Sequence, residues 1–134
     1  MKKIVALIVL ALTLVGCASS GFKATPAKEV SERLVNLEDV IVVFGQSTCA
    51  ACTEYKVVLE EVMKNYPDLP LVYVETDKDN RSDVSALVQA YLPNATVTPI
   101  TYFFIDGTLV GQETGAFRYS QLKGFLTDKG FISE

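Results

Sequence analysis

The chain has no histidine, no tryptophan and only three cysteines in 134 residues. A structural zinc ion wants four ligands, commonly from a second Cys-x-x-Cys or a histidine pair. Only one cysteine lies outside the single Cys-x-x-Cys, so an intramolecular zinc site would need carboxylates. No metal is expected. The chain also has no basic tract, and its formal charge is −4. Nucleic acid is therefore not an expected partner. Beyond residue 17 no apolar run approaches the ~20 residues that span a bilayer as a helix. What is present is 49% apolar residues, enough for a core, on a length that suggests one domain.

Met1-Lys2-Lys3 is a short basic start, and Ile4 to Val15 is apolar apart from Thr13. Those twelve residues are too few to cross a membrane comfortably and fit the apolar region of a secretory signal peptide. Leu14-Val15-Gly16-Cys17 follows and resembles the bacterial lipobox, in which cleavage leaves a lipid-bearing cysteine at the new N-terminus. The expected organisation is a signal peptide over 1–16, a lipid-anchored linker over 17–21 and one domain over 22–134. Loss of Lys2 and Lys3 would take the charge from −4 to −6. Lipidation of Cys17 would place the protein on the extracytoplasmic face of the cell membrane. Each buried CH₂ contributes about 0.8 kcal/mol, so two or more acyl chains would hold it there. Disulfides persist in that compartment.

With Cys17 assigned to lipid, Cys49 and Cys52 remain as a pair in Gln46-Ser47-Thr48-Cys49-Ala50-Ala51-Cys52. The apolar run Val40 to Phe44 precedes the pair and a helical pattern follows it. This spacing predicts a pair at the junction of a buried strand and a helix, with Ser47 or Thr48 as the cap. The first turn of a helix carries unpaired backbone N–H groups and partial positive charge. A cysteine there can have its pKa lowered to roughly 3.5–7.5 from about 8.5. Cys49, first and nearer the exposed end, is the expected nucleophile. Cys52, one turn on and more buried, is the expected resolving thiol. A purely structural bridge is the bland alternative, but so short a loop restrains the unfolded chain little.

Thr25-Pro26 predicts a helix start with Thr25 as N-cap, running to Leu37 with Val30, Leu34 and Leu37 inward. Phe22-Lys23-Ala24 reads as a short outer strand. Val40 to Phe44 reads as a strand buried on both faces. A helix is expected from Cys49 to Tyr66, stopped by Pro67, with Cys52, Tyr55 or Lys56, Leu59, Val62 or Met63, and Tyr66 inward. Leu71 to Val74 is a second strand. A charged turn over Asp77 to Asn80 leads to a helix from Arg81 or Ser82 to Leu92, with Val84, Leu87, Val88 and Tyr91 inward. Ile100 to Ile105 and Thr108 to Gln112 flank the hairpin signal Asp106-Gly107. Tyr119 to Lys129 is the last helix, with Leu122, Phe125 and Leu126 inward. Alternating strands and helices imply parallel pairing, and the final hairpin is antiparallel. The expected class is α/β: a mixed four- to five-stranded sheet with helices on both faces.

With these elements in place, the chain resembles the thioredoxin-like superfamily over 22–131. The resemblance rests on Cys49-Ala50-Ala51-Cys52 at a strand-to-helix junction, Thr98-Pro99 before a strand, the Asp106-Gly107 hairpin, and Gly115 before the last helix. Within that superfamily the chain is most similar to small bacterial lipoproteins and bacteriocin-transport accessory-type proteins. The resemblance implies a cis peptide at Thr98-Pro99 facing the cysteines, with Thr98 and Pro99 in a substrate groove. It also exposes departures. Thr48 stands where typical thioredoxins have Trp, Ala50-Ala51 replaces Gly-Pro, and Val43 replaces a buried acid associated with proton transfer to the resolving cysteine. Without that acid, Cys52 would rely on water, Glu54 or Tyr55.

These readings point to a membrane-anchored thiol–disulfide oxidoreductase. It would act on protein thiols or disulfides, need no cofactor beyond the Cys49–Cys52 disulfide, and require an unidentified redox-recycling partner. The alternative is a lipid-anchored, non-catalytic accessory or binding module for an export system. A peroxide or metal-stress role is a third option.

Overall fold

The structure, a computed structural model, describes residues 22–134. The expected signal peptide, the expected lipid attachment at Cys17 and the expected linker lie outside the described residues. Four helices and four strands follow in the order α1 (Ala27–Val35), β1 (Val40–Gly45), α2 (Ala50–Asn65), β2 (Leu71–Glu75), α3 (Arg81–Tyr91), β3 (Ile100–Ile105), β4 (Thr108–Thr114) and α4 (Tyr119–Asp128). No helix among the described residues is long and apolar enough to cross a membrane.

The strands form one sheet in the order β2-β1-β3-β4. β1 and β2 are parallel, whereas β3 is antiparallel to both β1 and β4. The expected parallel pairing therefore holds only for β1 and β2. The connection through α3 does not join neighbouring strands: it carries the chain past β1 to its far side, where β3 enters in the opposite direction. Asp106 and Gly107 both have positive φ, 49° and 69°, as a two-residue hairpin with right-handed strand twist requires. A side chain at Gly107 would meet the Leu34 carbonyl at 2.6 Å, so the hairpin also packs directly on the end of α1. Between Phe103 and Phe104 the register with β4 shifts, leaving Val110 unpaired as a β-bulge.

β1 is buried along its whole length, and alternation assigns its residues to two cores. Val40, Val42 and Phe44 pack with Val30 and Leu34 of α1 and Leu87 of α3. Ile41 and Val43 pack with Tyr55, Leu59 and Val62 of α2 and Leu122 and Leu126 of α4. The sheet is thus sandwiched, with α1 and α3 on one face and α2 and α4 on the other.

Three local expectations are corrected. Phe22–Ala24 forms no strand; one backbone bond, Thr25 N–H to the Tyr73 carbonyl at 2.7 Å, joins this segment to β2. The segment is held instead by side chains: Phe22 N–H donates to Glu60 Oε1 at 2.9 Å, and the Phe22 ring packs edge-on against Tyr73. Thr25 does not cap α1. Pro26 occupies the N-cap position, and the Ala27 N–H is satisfied by Asp79 Oδ2 at 2.6 Å, across 52 residues of sequence. Leu37 is not inward: α1 ends at Val35 with Asn36 as its C-cap, and Leu37 has φ +59° with 65% of its surface exposed.

Candidate active site

β1 ends at Gly45, and Gln46–Thr48 turn the chain into α2. Neither Ser47 nor Thr48 caps that helix. Cys49 itself is the N-cap, in extended conformation, and its Sγ accepts the Cys52 N–H at 3.2 Å. The Cys49 carbonyl accepts the first intrahelical bond, from Thr53 N–H at 3.1 Å, and the Thr53 hydroxyl at 3.3 Å. Ser47 serves a different end. Its N–H and hydroxyl both donate to the Asp77 carboxylate, tying the loop after β1 to the turn after β2. These two bonds, the hydroxyl's first, hold the Asp77 carboxyl below its ordinary range.

Cys49 and Cys52 are joined by a disulfide with their Cα atoms 5.2 Å apart. Cys49 is half-buried, and Cys52 is fully buried beneath the first turn. The Cys49 sulfur therefore lies where backbone N–H and the positive end of a 16-residue helix face it. That placement favours a thiolate once the bridge opens.

The Thr98–Pro99 peptide is cis, as the resemblance implies. The Thr98 carbonyl oxygen lies 3.7 Å from Cys49 Sγ. All four candidate residues, Cys49, Cys52, Thr98 and Pro99, thus meet at one end of the sheet. Pro99 is buried and starts the chain into β3, while Thr98 is half-buried and Ala50, Ala51 and Val97 are exposed around the pair. Among the described residues, no group of three or more His, Cys, Asp or Glu is placed to hold a metal ion.

Beneath the pair, Val43 sits between Tyr73 of β2 and Thr101 of β3 in the strand register. The Tyr55 hydroxyl and Thr101 Oγ1 are hydrogen-bonded at 3.1 Å. This tyrosine, one of the expected proton carriers for Cys52, is therefore already engaged, and burial pushes its pKa up to about 12 against the pull of the Thr101 bond. Glu54, the other, is exposed on the outer face of α2. The Tyr73 hydroxyl was not anticipated. It is buried against Gly45 and has no hydrogen-bond partner within the described protein. In sequence Tyr73 reads as one more core residue of a strand, and only the register places it beside Val43.

Tyr73 and Tyr102 are likewise pushed up to about 12, by burial first, with the charges of Glu75 and Asp77 adding to the effect at Tyr73. A raised pKa means that the folded chain holds these protons more tightly than the unfolded chain. Their contribution is complete below pH about 10, the unfolded tyrosine value, and is lost as pH rises through about 12. Spectrophotometric titration should show Tyr55, Tyr73 and Tyr102 ionising only together with alkaline unfolding between those values. Normal ionisation of all tyrosines near pH 10 in folded protein would contradict this burial.

No family model and no curated protein matches the sequence. Solved structures do match. The oxidised form of mitochondrial thioredoxin 3 from Saccharomyces cerevisiae aligns at 21% identity and TM-score 0.59, over 78% of this chain and 91% of that one. Thioredoxin f2 from Chlamydomonas reinhardtii aligns at 21% identity and TM-score 0.64, over 81% and 95%. Thioredoxin from Aeropyrum pernix aligns at 21% identity and TM-score 0.64, over 78% and 83%. At this identity the likeness concerns architecture: the chain has the α/β thioredoxin-like fold, with a four-stranded mixed sheet and four helices.

Proposed function

We propose that the protein is a thiol–disulfide oxidoreductase acting on protein thiols or disulfides through Cys49 and Cys52. The observation that carries this reading is a half-buried cysteine sulfur at the N-cap of α2, bridged to a buried partner and 3.7 Å from the carbonyl of a cis-proline loop. In the reducing direction the Cys49 thiolate attacks a substrate disulfide and forms a mixed disulfide. The Cys52 thiolate then attacks Cys49 Sγ, closes the protein disulfide and expels the substrate sulfur, which takes up a proton. The reverse sequence oxidises substrate thiols. Direction is set by the potential of the pair against its recycling partner. Thr98 and Pro99 form part of the groove for the substrate's extended chain.

The place of action follows from Leu14-Val15-Gly16-Cys17: lipid on Cys17 would anchor the domain to the extracytoplasmic face of the cell membrane. The similarity to small bacterial lipoproteins and bacteriocin-transport accessory-type proteins belongs to the same reading. Val43 supports a second one. Without an ionisable group at that position, the domain could serve an export system as a binding module whose bridge is residual.

Equilibration of the full chain with glutathione buffers tests the choice. An oxidoreductase gives a reversible two-electron couple between about −120 and −270 mV, the span of the dedicated thiol–disulfide enzymes. A potential below about −300 mV marks a structural bridge and overturns the proposal.

A further inference from the structure

We propose that the Tyr73 hydroxyl is the hydrogen-bond donor that receives the Cys52 sulfur when the pair is reduced. This inference rests on the reading of Cys49 and Cys52 as a redox pair and adds the group that replaces the missing buried acid.

Three placements carry it. On α2, Tyr55 and Lys56 lie three and four residues beyond Cys52, so all three side chains share one face of the helix. Tyr55 meets Thr101 of β3, and Lys56 Nζ lies 4.4 Å from the centre of the Tyr73 ring on β2. Cys52, one turn nearer the helix start, therefore faces the sheet near the end of β1. The Tyr73 hydroxyl reaches toward the same end: a side chain on Gly45 would meet its oxygen at 2.1 Å. The absent side chain at Gly45 is what admits the hydroxyl there.

The neighbouring polar groups are already committed. Lys56 pairs with Glu75 at 2.9 Å, Tyr55 with Thr101, and Asp77 with Ser47. Among the described residues, Tyr73 Oη is the buried side-chain oxygen or nitrogen left without a partner. Leaving such a group buried and unpaired is unfavourable, because it has given up water without gaining a partner. A disulfide sulfur is a poor acceptor, whereas a thiolate is a strong one. Reduction thus creates the acceptor that the hydroxyl lacks.

The chemistry balances without a base inside the fold. In the mixed disulfide, Cys52 loses its proton to solvent and its sulfur bonds to Cys49 Sγ. The bond from Cys49 to substrate breaks, and its electron pair leaves on the substrate sulfur, which is then protonated. Tyr73 keeps its own proton throughout, since it ionises only near 12. Its part is to favour the Cys52 thiolate, and so the reduced pair.

Tyr73→Phe tests this. The ring stays and no existing hydrogen bond is lost, so the variant is expected to fold. A mixed disulfide of Cys49 with a chromogenic aromatic thiol reports attack by Cys52 as release of the coloured thiol. In Tyr73→Phe the pH profile of release should move up by about one unit, a tenfold slower release on its acidic side. Measured above the Cys52 pKa, where the reduced pair carries that thiolate, the pair's potential should fall by about 30 mV, the equivalent of tenfold in the equilibrium with glutathione. Attack by Cys49 on a small disulfide should be unchanged. An unmoved profile or an unmoved potential overturns the proposal. In the unsubstituted chain the Tyr73 ¹³Cζ resonance should shift on reduction and follow the Cys52 titration; a resonance indifferent to both also overturns it. Profile and potential belong to the cysteine pair itself. Failure to act on any protein disulfide would therefore remove the oxidoreductase reading while these measurements still decided the part of Tyr73.

Discussion

Cys49→Ser should reduce a model protein disulfide no faster than an uncatalysed control, a loss of roughly a thousandfold or more. The thiolate is the attacking species, and its formation is favoured here by the N-cap position and by the Cys52 N–H at 3.2 Å. A serine hydroxyl in that place stays protonated. The chain has no histidine to activate it, so the hydroxyl has no route to a nucleophile. Cys52→Ser should behave differently: Cys49 still attacks, but the mixed disulfide persists and can be trapped on a non-reducing gel. Full activity in Cys49→Ser, or trapping by that variant in place of Cys52→Ser, would reverse the assignment. A non-catalytic accessory module would instead tolerate Cys49→Ala in its cellular role.

Phe103→Ala should destabilise the domain by about 3–5 kcal/mol. Phe103 is fully buried on β3, in the core beneath α2 and α4, between β1 and β4 in the sheet. Phe131 packs at 6.1 Å between ring centroids, and Lys129 Nζ lies over the ring at 5.1 Å, so the C-terminal turn rests on this side chain too. Truncation removes apolar burial and leaves a cavity that a sheet fixed on both sides closes poorly. For a domain of this size the melting temperature should fall by roughly 10–20 °C. A drop of only two or three degrees by calorimetry would show that the core refills around the gap.

The architecture was legible where local pattern and tertiary packing agree. The β-branched run Val40–Phe44 has one plausible fate, and it is buried on both faces. Asp106-Gly107 needs positive φ at both positions, which that dipeptide tolerates. Several of the misses share one cause: a partner distant in sequence did what a local residue was expected to do. Asp79 satisfies the start of α1 in place of Thr25. Ser47 turns to Asp77 and leaves capping to the Cys49 sulfur. The direction of β3 depends on which neighbour it chooses, and the helical pattern between Arg81 and Leu92 is silent on that. The thiol pair and the Thr98–Pro99 loop could be singled out because each has a motif. Tyr73 has none; its meaning comes from lying opposite Val43 and against Gly45.

The unpaired Val110 has a consequence for how copies of this chain meet. β4 is the terminal strand of the sheet, and a terminal strand with free N–H and C=O groups is a template for strand addition. The extra residue bends that rim and breaks its hydrogen-bonding repeat midway. A second molecule can match only a short stretch at a time, so edge-to-edge zippering into fibrils is disfavoured even where the protein is concentrated.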